Sequence, residues 1–106
     1  MSDSKRLLFH QELVNILGSS RVYFQPPENI KMEYPCIVYS RRTGTSSYAD
    51  NKTYRYTQTY DVTYISKDPD DGFVERFCME MPTARYDRHY TASNLHHDNF
   101  FVYNTH

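Results

Sequence analysis

A chain of 106 residues allows one domain. Its formal net charge is -1, with twelve Lys and Arg against thirteen Asp and Glu. Lys5-Arg6 and Arg41-Arg42 are its only basic pairs, which excludes a protein built mainly to grip a nucleic-acid backbone. No stretch approaches ~20 apolar residues, so no transmembrane helix is expected. The opening "MSDSKRLLFHQEL" lacks the apolar core of a signal peptide.

Eleven tyrosines, no tryptophan and three glycines set the character of the chain. Tyrosine combines an apolar ring with a polar tip and suits half-buried sheet faces and interfaces. A mean hydropathy of -0.80 is low for a chain that must form a core, so assembly is expected to add stability.

In chain order, residues 3–17 read as a helix, capped by Asp3 or Ser4 and ended by Gly18. At 100° per residue, Leu7, Phe9, Leu13, Val14, Ile16 and Leu17 share one broad side. His10 falls within that arc as a packed core-edge histidine. Pro26-Pro27 breaks the pattern, leaving at most a short strand near Val22–Phe24. Residues 35–42 form a strand, and the polar run "TGTSSYADNK" (43–52) reads as a long loop, an arm over 43–53.

Residues 53–65, "TYRYTQTYDVTYI", alternate strictly. Tyr54, Tyr56, Gln58, Tyr60, Val62 and Tyr64 take one side; Arg55, Thr57, Thr59, Asp61 and Thr63 take the other. A strand of about twelve residues spans roughly 40 Å and is expected to project beyond the core. A second helix over 71–81 follows, with Asp70 or Asp71 as cap and Pro82 as stop. Its apolar face is Phe73, Val74, Phe77, Cys78 and Met81. Residues 83–90 and 98–104 read as two strands joined by 91–97. The fold class is therefore α+β. The order is α-β-β-α-β-β: an antiparallel or mixed sheet packed against two helices, with a long projecting β-hairpin.

Chemistry concentrates in "ARYDRHYTASNLHHDNF", residues 84–100. Asp87 and His89 would share a strand face, and with Asp98 across the hairpin three metal ligands are conceivable. Adjacent His96 and His97 would point to opposite sides. Arg85, Asp87 and His89 read more simply as one polar strand face. Cys36 and Cys78 form no CxxC and read as two buried, reduced thiols. The chain has no GxSxG, and three glycines cannot make a phosphate loop. Asp68, Asp70 and Asp71 read as a helix-capping turn. No enzyme is expected, and no catalytic, cofactor-binding or metal residue is assigned. A module that works by touching other proteins fits better.

The run "YPCIVYSRRTGTSSYADNKTYRYTQTYDVTYISKDPDD" (34–71) resembles the centre of the tail terminator, or tail completion, proteins of long-tailed bacteriophages. The shared features are a Pro-led strand ending "VY.R", a loop carrying "ADN", a strand "Y..T..Y.VT.I" and an Asp-Pro-Asp turn into a helix. "ARYDRHYTASNLHHDNFFVY" is similar to that family's closing hairpin, and the resemblance spans 34–103. It implies one tail-terminator-like domain over 1–106. Its partners would be itself, as a homo-hexameric ring, the tail tube protein and the neck or head-completion proteins. DNA would only pass through the lumen, and no membrane or cofactor is involved. The implied location is the head-tail junction of the virion, after synthesis in the host cytoplasm. The implied contact regions are the "ADN" loop (Tyr48, Ala49, Asp50, Asn51) and the last hairpin, with Arg85, Asp87, His89, His96, His97 and Asp98. A pH-sensitive contact is the reading of that hairpin. The alternatives are another neck component, a stopper or connector, and a small metal-dependent enzyme using the 85–98 hairpin.

Overall fold

The computed structural model describes residues 4–26, 31–49, 52–68 and 70–104; for Ser4, 43–49 and 52–57 it describes the backbone alone. Helix α1 (Ser4–Leu17) is followed by strands β1 (Val22–Phe24), β2 (Cys36–Ala49) and β3 (Lys52–Ser66), helix α2 (Phe73–Glu80), and strands β4 (Ala84–Ala92) and β5 (Leu95–Tyr103). The strands form one mixed sheet in the order β1-β2-β3-β5-β4. Among the described residues β1–β2 is the parallel pairing, and the other three pairings are antiparallel. This is the α+β domain expected from the sequence, with β1 added at one edge.

Both helices serve one face of the sheet. Alternation along β3 puts Tyr60, Val62 and Tyr64 on that face, all buried. Their cross-strand partners follow: Ile37 and Tyr39 on β2, Phe100 and Val102 on β5. From α1, Phe9 stacks on Tyr60 with ring centres 4.7 Å apart, and Leu13 is fully buried. From α2, Phe73 stacks on Tyr64 at 3.7 Å and Phe77 meets Phe100 at 4.7 Å. Each such ring stabilises the fold by about 1.5–3 kcal/mol through burial alone.

The helix ends follow local rules. Gly18 closes α1 in the left-handed region (φ 77), its N–H bonded to the Val14 carbonyl at 2.8 Å. The N-cap of α2 is Gly72 rather than an aspartate, but Asp71 Oδ1 accepts the Phe73 N–H at 3.0 Å. The same carboxylate, through Oδ2, accepts the Tyr64 hydroxyl. Burial first, then this bond to Asp71, pushes the Tyr64 phenol above its ordinary range, so it stays a donor.

Several expectations need correction. Residues 43–49 continue β2 to Ala49 instead of forming a loop. Threonine tolerates extended backbone, and beyond an irregularity between Arg41 and Gly44 the long β3 supplies partners, Gln58 for Gly44 and Thr57 for Thr45. Asp50-Asn51, the tip of the expected arm, lies outside the described residues. The 91–97 connection shrinks to Ser93-Asn94, both at positive φ (53 and 63), a two-residue turn with β5 beginning at Leu95. Leu7, at the rim of the expected arc, is exposed, while the rest of that arc packs on the core: Phe9 and Leu13 are buried, and Val14, Ile16 and Leu17 are partly buried against it. Cys36 is buried as expected, its thiol pushed up to about 11 by burial, whereas Cys78 is exposed. An eight-residue helix buries a narrow stripe, and Phe73, Phe77 and Met81 fill it.

Candidate functional site

The hairpin of β4 and β5 is organised by one irregularity. Tyr86 pairs with Phe100, but the next partners are Arg88 and Asn99, so Asp87 is an extra residue in β4. A bulge of this kind reverses the alternation beyond it. Arg85, opposite Phe101, therefore faces away from the helices, while His89, opposite Asp98, faces the helix side. The expected single polar face of Arg85, Asp87 and His89 does not exist.

The bulge also separates the two aspartates. On the face away from the helices, Asn99 Nδ2 donates to Asp87 Oδ2 at 3.2 Å, and Thr63 Oγ1 donates to Asn99 Oδ1 at 2.8 Å. Beside this chain Arg42 meets Asp61 at 3.5 Å and lies 3.8 Å over the Phe101 ring. Ser40, Arg42, Asp61, Thr63 and Asp87 line a shallow depression of about 450 Å³ there. His97 shares this face, its ring stacked on Tyr90 with centres 4.7 Å apart.

On the helix side, Asp98 is the hub. Its carboxylate is only 10% exposed. Oδ1 accepts the Tyr86 hydroxyl at 3.0 Å and the His89 Nδ1–H at 2.8 Å. Burial first, then the Asp98 carboxylate, holds the Tyr86 phenol above its ordinary value, so it too remains a donor. His89 Nε2 in turn lies 3.4 Å from His96 Nδ1. The sequence expectation that His96 and His97 point to opposite sides holds.

The expected trio of Asp87, His89 and Asp98 is not assembled: the last two meet, and the first is drawn to Asn99 on the other face. Among the described residues no three His, Cys, Asp or Glu side chains converge to hold a metal ion. Of the "ADN" loop, Tyr48 and Ala49 end β2, pairing with Thr53 and Lys52; Asp50 and Asn51 lie outside the described residues. Sequence reading missed Tyr86, Arg42, Asn99 and Phe101. The strict alternation of β3 did place Asp61 and Thr63 on the face that the last three share.

Among the described residues no helix is long and apolar enough to cross a membrane. No protein-family model matches the chain, and no curated protein matches it.

Proposed function

We propose that this chain is a structural protein of a long-tailed phage. It closes the head-proximal end of the tail tube as a hexameric ring and presents the surface that joins the neck of the head. It acts by contact rather than catalysis. The observation that carries the reading is the asymmetry of the sheet. Helices seal one face; the other carries Arg42, Asp61, Asp87, Arg88 and Phe101 at its surface. At the edge, every residue of β4 from Arg85 to Ala92 is exposed. Unpaired edge backbone and mixed charged and aromatic faces are the materials of heterologous subunit contacts that close into a ring. The resemblance over residues 34–103 supplies the identity of the partners. In this reading the tip of the β2–β3 hairpin projects towards a neighbouring copy, and DNA passes the lumen without being gripped, in keeping with the net charge of -1.

Native mass measurement of the purified chain and imaging of virions test the proposal. A hexameric mass and density at the head-tail junction are expected. A strictly monomeric protein absent from virions would sink it. Tyr48→Ala is expected to weaken assembly while leaving the circular dichroism of the monomer unchanged; rings of normal yield would remove the arm from the interface.

A further inference from the structure

His89 and His96 lie on one face of the β4–β5 hairpin as diagonal neighbours, since His89 pairs with Asp98 and Thr91 with His96. Their facing nitrogens, His89 Nε2 and His96 Nδ1, are 3.4 Å apart. This is long for a nitrogen–nitrogen hydrogen bond. It is, however, the edge of a tetrahedron around zinc: two Zn–N bonds of ~2.0–2.1 Å at a tetrahedral angle put the nitrogens about 3.3–3.4 Å apart. The ring centres are 5.4 Å apart, so the two nitrogens lie between them and the rings meet edge to edge. Two imidazoles sharing one tetrahedral ion would have centres about 5.3 Å apart, against about 5.7 Å for rings aligned along a straight hydrogen bond.

The far side of His89 is already arranged. Nδ1–H donates to Asp98 Oδ1 at 2.8 Å, so in the neutral ring the proton sits there and Nε2 keeps its lone pair. Tyr86 holds the same carboxylate oxygen from the opposite strand. A carboxylate behind a histidine is the usual support of a metal-bound imidazole: it fixes the tautomer and raises ligand basicity. Solvent reaches the site, because His89 is 41% exposed.

We propose that His89 Nε2 and His96 Nδ1 form a two-histidine site for a divalent ion of the zinc, nickel and copper class, with Asp98 as the carboxylate that positions His89. Imidazole nitrogens select these ions over magnesium and calcium. Binding asks only that His96 carry its proton on Nε2. The remaining coordination positions are open to water, so the ion exchanges with solvent. The site does not depend on the ring proposed above, since its two ligands belong to one hairpin.

Titration of the full chain with zinc chloride, followed calorimetrically, tests it. One equivalent should bind. His96→Gln, which removes a ligand from the surface, should weaken binding at least tenfold, and His89→Gln likewise. Asp98→Asn should lose about tenfold, the low end for a supporting carboxylate. His97→Gln, on the opposite face, should bind as the wild type does. In ring-nitrogen NMR spectra of the wild type, zinc should shift His89 Nε2 and His96 Nδ1 and leave the His97 ring in place. That readout does not require any variant to fold. Absence of saturable binding, unchanged affinity in both His89→Gln and His96→Gln, or zinc shifts confined to other histidines would overturn the site. Wild-type affinity in Asp98→Asn would remove the carboxylate from it.

Discussion

On the helix side of the sheet, Tyr39, Tyr60, Tyr64 and Phe100 are closed over by rings from α1 and α2, and all four are buried. On the other side, Phe101 and Tyr90 lie under guanidinium groups, Arg42 over the first at 3.8 Å and Arg88 over the second at 5.4 Å, with the His97 ring also stacked on Tyr90. Both faces use aromatic residues, but in different surroundings. A ring packed against rings leaves water for good and holds the fold. A ring under an arginine stays near water and adds less to the fold by burial. The architecture thus divides its aromatic rings between a sealed face and an open one.

The sharpest way to break this contrast is to remove one ring from each side. Phe77 is fully buried between Phe73 and Phe100. Phe77→Ala is expected to cost about 3–5 kcal/mol, from lost burial and the cavity left behind. Against a total of about 5–15 kcal/mol, it comes close to unfolding the domain. Phe101→Ala, at a half-buried position, is expected to cost on the order of 1 kcal/mol. Urea denaturation of both variants measures the ratio. Equal losses would mean that the two faces contribute alike and that the division is false.

How much of this was legible in the sequence depends on periodicity. The covered face could be read because Tyr60, Val62 and Tyr64 alternate without interruption and Phe73, Phe77 and Met81 recur every fourth residue. The hairpin could not, because its faces depend on Asp87, an inserted residue that no glycine announces. Strict alternation put His89 on one face with Asp87, with Asp98 across the hairpin; one extra residue kept Asp98 and took Asp87 to the other face. The same blindness misplaced the turn. Ser93-Asn94 is a compact turn, but His96 and His97 carry no strand signal of their own. They extend because β3 offers them Ser66 and Ile65 as partners.

A smaller effect sharpens the comparison from the polar side. Asn99 is 9% exposed and holds Thr63 and Asp87 together across three strands. Asn99→Ala removes two hydrogen bonds at about 0.5–1.5 kcal/mol each. The expected loss is therefore about 1–3 kcal/mol by chemical denaturation, below Phe77→Ala. A loss matching Phe77→Ala would make the open face as much a stabilising element as the covered one.

The smallest expected effect lies where the covered face meets water. Tyr39 Oη accepts from Arg6 Nη1 at 3.1 Å and stands 2.7 Å from His10 Nδ1. Arginine can only donate, so the phenol proton is not used toward Arg6, and a neutral His10 imidazole with a free Nδ1 lone pair can receive it. Burial, and then the nearby Arg6 charge, lower the His10 pKa below its ordinary value. The folded state thus binds the His10 proton less readily than the unfolded chain does. The stabilisation is fully present above the ordinary value of about 6.5 and is lost as pH falls through 6.5 towards the folded-state value. Carboxylates titrate in the lower part of the same range in any variant, so the comparison must be differential. His10→Gln keeps a side chain able to accept from Tyr39 but removes the titration. Between pH 8 and pH 5.5 the urea midpoint of the wild type should therefore fall further than that of His10→Gln. Parallel profiles would mean that the proton on His10 costs the fold nothing, and that the rim of α1 belongs with the solvated face rather than with the core.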